Sequence, residues 1–565
     1  LKNHFPAAEN MTNNIENTDV LIHRNRDTLP LTGFAPDEYF GILTVKMAKT
    51  KLVKIPTFLL FTIDKTGSMQ EMASKNSSKM DYVIQTFVSM MNYLSTLDTE
   101  IYIQVNSFNT VVDVTIPKVK ISTDNVNELT QIIKTLRCDG STNIGLALTT
   151  ANTVLESYKN EFEDHQIGHI FMTDGEPTAG VCSVEKLVEN VNENFYNTFV
   201  GFGFHHNVDL LNKCGEKNNA EYQFVDNMEN TALIYGETIH KFIYPALKNV
   251  DFCVEGGTIY DWSTNSWKAS IKESIIISEI EKIYHIRTTN PETVSVLIYG
   301  EQCSNKDSDT GNDFNQTYRI LDVGYSLPDL LDSQTNLPQL NEDLTKYAFR
   351  QRVQELLFRA KQGFSDDFGK NEYKNNLKIM FRTIRKYMRT TDGLEDGLLK
   401  LLCDDISQIY NTFNTGYGIM FATARANSQG RQRTYNTNSS YDTDIGNPEF
   451  SRQNALVRSP SLSPPVLMRT NTNSFHNIDE MTQNYYNNEE ISIIPNSYSE
   501  ADDINDETFY KYDELGFITS SSMDPDNDTE FVMEDEIDNY ASEDMNTTCF
   551  ATPGLLDTMR SMSRI

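Results

Sequence analysis

The chain has 565 residues, with 80 acidic against 48 basic side chains, for a formal charge of −32. So negative a balance excludes a general binder of nucleic acid or of an anionic membrane, because backbone phosphates would repel the whole chain. With 39% hydrophobic residues there is material for several domains, yet no apolar run reaches the roughly 20 residues of a membrane-spanning helix.

Residues 1–35 are polar and unpatterned and are expected to be disordered, with no secretory signal pattern. The chain opens on Leu1, and Met11 offers an alternative start. Residues 36–55 hold one strand, Tyr39–Ala48. From 56 to 242, apolar strands alternate with amphipathic helices. Thr57–Ile63 is a continuous apolar run, as expected of a strand buried on both faces. Met80–Leu97 carries Val83, Ile84, Phe87, Met90, Met91 and Leu94 at helical spacing. Strands at Ile101–Phe108, Val111–Ile116, Ile167–Met172, Asn197–Gly203 and Tyr222–Val225 interleave with helices at Val126–Leu136, Ile144–Leu155, Val184–Val191, Val208–Cys214 and Thr231–Phe242. This alternation predicts an α/β fold, a doubly wound, mostly parallel sheet with helices on both faces.

Residues 243–330 read as a β-sandwich of short strands, including Phe252–Val254, Trp267–Ile271, Ser274–Ile280, Ile283–Arg287, Thr293–Tyr299 and Tyr318–Val323. Trp262 and Trp267 fall here and are expected to pack in its core. Residues 342–425 form a helical region with three apolar stripes, centred on Leu356, Phe381 and Leu402. Residues 427–565 read as a disordered acidic tail. Between Asp343 and Arg433 there are 16 Lys and Arg against 10 Asp and Glu, and Ala424–Arg433 is basic; a solvated helical face is expected there, with an acidic-partner surface as the alternative. His476–Thr548 holds 21 acidic residues and one Lys, so most of the net charge belongs to the tail.

The chemistry concentrates at strand ends. Thr57–Ile63 delivers Asp64-Lys65-Thr66-Gly67-Ser68-Met69 at the sheet edge where doubly wound folds bind ligands. A carboxylate with hydroxyls two and four residues on can aim three hard oxygens at one point, which suits Mg²⁺; helix capping explains the same residues equally well. Asp139-Gly140-Ser141-Thr142-Asn143 precedes a helix, and Thr173-Asp174-Gly175-Glu176 follows the strand Ile167–Met172.

With these three loops, in this order, the sequence resembles the von Willebrand factor type A domain of intracellular type, with its metal-ion-dependent adhesion site. The resemblance covers residues 56–242. It implies that Thr66 and Ser68 give hydroxyl oxygens to a metal, that Thr142 binds directly or through water, and that Asp64 and Asp174 act mainly through water or through hydrogen bonds to the hydroxyls. Thr66 stands where the family most often has Ser, which keeps the hydroxyl and adds a stiffening methyl. The implied metal is Mg²⁺, with Mn²⁺ or Ca²⁺ as alternatives, and the implied partner is a protein offering an Asp or Glu carboxylate. Some intracellular members insert the A domain in a β-sandwich, which suits Tyr39–Ala48 and residues 250–325. Similar proteins act as ubiquitin ligases through a zinc RING, but the seven scattered cysteines form no CxxC pair.

Asp524–Glu530 resembles the start of an EF-hand loop but has Thr529 where that loop needs Gly, so a solvated acidic run is expected. His205-His206 is expected to be a loop pair. No phosphate loop and no recognisable nucleophile context occur, so no catalysis is expected. Ser463–Arg469 and Thr552–Arg560 echo each other, each with Ser/Thr-Pro, an aliphatic pair and Met-Arg, as docking motifs in a tail would. A cytoplasmic, non-enzymatic scaffold is thus expected, with the acidic tail as an internal carboxylate donor. The alternative is an adaptor in ubiquitin-related or assembly pathways, working through the sandwich and helices.

Overall fold

The computed structural model describes residues 15–22, 34–35, 37–48, 56–73, 77–225, 231–290, 293–302, 319–323, 343–363, 367–414, 417–433, 537 and 550–563. Fifteen strands and eleven helices are named below in chain order. The first α/β unit carries strands β3 (Thr57–Asp64), β4 (Ile101–Phe108), β5 (Val112–Lys120), β6 (Gln166–Thr173), β7 (Tyr196–Phe202) and β8 (Ala220–Val225). They form one sheet in the order β5-β4-β3-β6-β7-β8, in which only the edge strand β5 runs antiparallel.

Every residue of β3 is buried, because helices cover both faces. Leu59, Phe61 and Ile63 pack with Met80, Val83 and Phe87 of α1 (Lys79–Ser95), with Leu129 of α2 (Val126–Ile133) and with Ile239 of α6 (Thr231–Ile243). Phe58 and Leu60 point the other way, against Ala151, Leu155 and Tyr158 of α3 (Ile144–Glu161). The helices α4 (Val184–Val188) and α5 (Val208–Gly215) complete that second layer. His205-His206 is the expected loop pair, between β7 and α5, and within it His206 turns into the core. Its Nδ1 lies 2.7 Å from the Gly203 carbonyl oxygen and its Nε2 2.6 Å from the Tyr222 hydroxyl.

The sandwich is built from both sides of this unit. Strands β1 (Ile15–Ile22), β2 (Tyr39–Met47), β13 (Glu281–Thr288), β10 (Gly257–Asp261) and β11 (Ser266–Lys268) form one antiparallel sheet in that order. Strands β12 (Ser270–Ile277), β9 (Pro245–Glu255), β14 (Ser295–Gln302) and β15 (Arg319–Val323) form the other. Val20, Leu43 and Val45 meet Val250, Phe252 and Val296 between them. Three expectations are corrected here. Residues 1–35 supply an edge strand, β1, whose Asn17, Thr18 and Asp19 hide its pattern. The strand expected over Trp267–Ile271 is two strands in different sheets, with the chain crossing at Ala269. Ser274–Ile280 covers the second half of β12 and runs into the turn that follows Ile277.

The helical region has four helices: α7 (Thr345–Gln362), α8 (Asp367–Thr390), α9 (Gly397–Thr412) and α10 (Gly418–Arg431). The last runs past the expected boundary at 425 and is neither a solvated face nor an open acidic-partner surface. Arg425 is wholly buried, with its guanidinium 2.5 Å from Asp404 and 2.6 Å from Asp405. Arg431 donates to the Gly215 and Ala220 carbonyls, and Arg433 pairs with Glu221 of β8 at 2.9 Å. Burial alone would raise the Glu221 carboxyl, but Lys241, Arg433 and Arg431 around it hold it well below the usual range. A Cβ on Gly430 would sit 1.9 Å from the Trp262 ring, so the absent side chain is what lets α10 lie flat on the indole.

The eleventh helix, α11 (Pro553–Ser563), packs on α1 and α6, so the expected disorder does not extend over that part of 427–565. The Asp524–Glu530 run, the Ser463–Arg469 segment and the acidic stretch His476–Thr548, apart from Ile537, lie outside the described residues.

Two stability predictions follow from burial. Arg425→Met leaves two buried carboxylates without their cation and should cost about 3–5 kcal/mol in denaturant unfolding. His169 and His206 are wholly buried, and burial pushes each down from 6.5 to about 4. Their depressed values mean that the stability they contribute is present above pH 6.5 and is lost as the pH falls toward 4, by on the order of 2–3 kcal/mol each. Denaturation midpoints between pH 7 and 4.5 should therefore fall more steeply in wild type than in His206→Gln.

Candidate metal centre

Strand register brings the three motif loops together. β3 lies between β4 and β6, with Asp64 beside Phe108 and Ile63 beside Met172, so Asp64 and Asp174 leave the sheet side by side. Backbone bonds then tie loop to loop: Asp139 N–H donates to the Lys65 carbonyl at 2.9 Å and Gly67 N–H to the Gly140 carbonyl at 3.4 Å. Thr178 and Ala179 N–H groups both donate to the Thr142 carbonyl, and the Thr142 N–H donates to Thr178 Oγ1 at 2.8 Å. Gly140 takes φ +74°, a left-handed turn that suits glycine.

All five expected residues fall in this cluster. Asp64 and Asp174 are fully buried, Thr66 and Thr142 are nearly so, and Ser68 is half-buried at the mouth. Thr66 Oγ1 lies 3.1 Å from Ser68 Oγ, and Ser68 Oγ donates to Asp174 Oδ1 at 2.7 Å. Asp64 Oδ1 accepts the Thr66 N–H at 2.8 Å, and its Oδ2 accepts the Thr173 hydroxyl. Helix capping is not what these hydroxyls do. Asn143 caps α3, Ser78 caps α1, and Thr66 makes no side-chain cap bond.

The donor set fits a hard divalent cation. Every named group is a hydroxyl or carboxylate oxygen. A Cβ on Gly175 would stand 3.6 Å from Thr142 Oγ1 and 3.7 Å from Ser68 Oγ, so bare backbone leaves a cradle between the two hydroxyls. Among the described residues no group of three or more His, Cys, Asp and Glu gathers as a metal cluster, so a cation here depends on the hydroxyls. Burial raises the Asp64 carboxyl to about 6, against the lowering hydrogen bonds from Thr173 and Thr66. That is the behaviour of a carboxylate short of positive charge.

Lys79 joins the cluster with no motif to mark it. Its ammonium lies 2.7 Å from Asp174 Oδ2 and 2.7 Å from Glu71, with the side chain almost buried. Burial would lower its pKa, but the two carboxylates outweigh this and raise it. The signal was local: a lysine at the first position of a helix opposes the helix dipole and needs a compensating anion.

The profile of the von Willebrand factor type A domain matches residues 59–176. Inter-alpha-trypsin inhibitor heavy chain H2 of Mesocricetus auratus is 26% identical over 265 residues, covering 44% of this chain and 27% of that protein. Heavy chain H4 of Homo sapiens is 26% identical over 275 residues, covering 46% and 28%. The chain thus spans little more than a quarter of the length of these curated relatives. A von Willebrand factor type A structure from Catenulispora acidiphila aligns with a TM-score of 0.44 and 14% identity, over 63% of this chain and 84% of that one.

Lys79→Met should destabilise the protein in EDTA by about 3 kcal/mol, the cost of a stranded buried carboxylate at Asp174. Added Mg²⁺ should recover more stability for this variant than for wild type, as a cation that takes the place of the ammonium would. Thermal unfolding with and without Mg²⁺ measures both.

Proposed function

The chain carries a von Willebrand factor type A domain, and on that premise we propose that it is a metal-dependent protein–protein interaction module. The observation that carries the proposal is the convergence of three hydroxyls and two buried carboxylates from three loops, with Ser68 at the open mouth. Asp64, Thr66, Ser68, Thr142 and Asp174 would hold a divalent cation, Mg²⁺ first, which supplies an open coordination position for a carboxylate of a protein partner. Asp64 holds the Thr66 backbone in place and Asp174 orients the Ser68 hydroxyl, so the carboxylates position the hydroxyls. No group here is assigned a catalytic step.

An apolar rim supports a protein partner. Met72, Val111, Leu146 and Val181 are exposed large hydrophobic residues, and each stands on or beside a segment bonded to the site loops. Leu146 follows the Asn143 cap, Val181 lies by Gly145, Val111 closes the Asn109 turn and Met72 precedes the Lys79 helix. A partner carboxylate flanked by apolar side chains would meet both features. The acidic run His476–Thr548 is an internal source of such carboxylates. Deleting 476–548 should then raise capture of an external partner.

A cytoplasmic setting belongs to the same proposal. Cys138, Cys182, Cys214, Cys253 and Cys403 are free thiols, as suits a reducing compartment. Fractionation of the tagged full chain tests it, and recovery outside the cytoplasm overturns it.

Affinity capture with wild type and Asp64→Ala, each with Mg²⁺ or EDTA, tests the metal reading. Capture should be lost in EDTA and in the variant. Capture that survives EDTA and the double change Asp64→Ala, Asp174→Ala overturns it. That result favours an adaptor surface on the sandwich and helices, in ubiquitin-related or assembly pathways.

A further inference from the structure

Helix α11 lies against the A domain far along the chain from it. Residues 434–549 separate α10 and its final turn from Phe550. Phe550 packs on Leu401, with the Arg350 guanidinium 5.4 Å from its ring. Three residues on, the chain reaches the α1–α6 face. Leu555 and Met562 are buried there, in one cluster with Met90, Leu94, Ile239 and Ile243. Leu555, Thr558 and Met562 stand at i, i+3 and i+7, the spacing of one helix face.

Polar contacts fix the register. The Thr558 hydroxyl lies 2.9 Å from His240 Nδ1 and 3.1 Å from the Tyr93 hydroxyl, which in turn lies 3.2 Å from the Tyr244 hydroxyl. Gly554 N–H donates to Glu279 at 3.1 Å, and the Leu555 N–H donates to the Thr552 hydroxyl at 3.2 Å, so Thr552 acts as the N-terminal cap. Two apolar anchors on a helix of 11 residues make a weak ligand, because so short a helix is marginal without its dock.

Thr552 precedes Pro553 and is only 2% exposed, so an enzyme can reach it only when α11 is off the face. A phosphate on an exposed cap is favoured by the helix dipole. Here the position is buried, and the Glu279 carboxylate already occupies the first turn through Gly554. A dianion at Thr552 would meet a like charge in a desolvated place. We propose that the α1–α6 face is a helix-binding site, that α11 is its releasable ligand, and that phosphorylation of Thr552 by a proline-directed protein kinase holds α11 off. In that transfer Thr552 Oγ1 forms a bond to the γ-phosphorus of ATP. The bond to the ADP oxygen breaks, and the hydroxyl proton leaves to solvent. The inference does not depend on a metal at the sheet edge.

The test uses a fluorescent peptide of residues 550–565 and the full chain. Leu555→Asp, and separately Met562→Asp, should free the face without touching the body of the fold, which thermal unfolding checks. The peptide should bind either variant at least about 10-fold more tightly than wild type, whose face is already filled. Its Thr552-phosphorylated form should bind the variants at least about 10-fold more weakly than the unmodified peptide. Equal binding to wild type and both variants, or no binding to either variant, overturns the helix-binding site. Equal binding of the two peptides overturns the release by phosphorylation.

Discussion

The architecture depends on one closure. Strand β2, before the A domain, pairs with β13, after it, over the eight positions from Tyr39–Thr288 to Lys46–Glu281. That ladder forms only if the inserted domain returns its chain close to where it entered. Entry at Thr57 is the N-terminal end of β3, and α6 brings the chain back to Pro245 at that same end. The loops with Asp64 and Asp174 then lie at the other end of β3, roughly 25 Å away at the usual rise per strand residue. Sandwich and candidate centre therefore occupy opposite ends of the sheet, and the centre stays open.

The helices are held to this frame by buried charge. Glu221 on edge strand β8 binds Lys241 from α6 and Arg433 from the end of α10, while Arg350 of α7 donates to the Ile283 carbonyl of β13 and the Gln429 carbonyl of α10. Such pairs cost desolvation and are expensive to break singly. They make the docking of the helices a matter of geometry as much as of apolar area. They also cover an edge strand that would otherwise be open to pairing.

How far the sequence could be read follows the range of the interactions. β3, β4 and β6 were legible because burial on both faces leaves an unbroken apolar run. The centre was legible because each loop carries its oxygens within a few residues of a strand end. Lys79 was legible only as a lysine in need of an anion; that the anion is Asp174, on another loop, shows only in the fold. Arg425 and Arg433 looked solvated for the same reason: Asp404, Asp405 and Glu221 are remote in sequence, and a charge shows its partner only in the fold. β1 escaped because Asn17, Thr18 and Asp19 interrupt its run of apolar residues. The switch at Ala269 escaped because a strand changing sheets keeps its composition.

One contact has a practical consequence. The protein has only two tryptophans. Trp262 lies beneath Gly430 of α10, and Trp267 packs with Phe34 and Tyr260 in the cluster that includes Leu344 and Ala348 at the start of α7. Both indoles thus sit on the seam between sandwich and helices. Their intrinsic fluorescence is a built-in optical gauge of that seam, spatially separate from the sheet edge that bears Asp64, so loosening of the helices can be followed without a label.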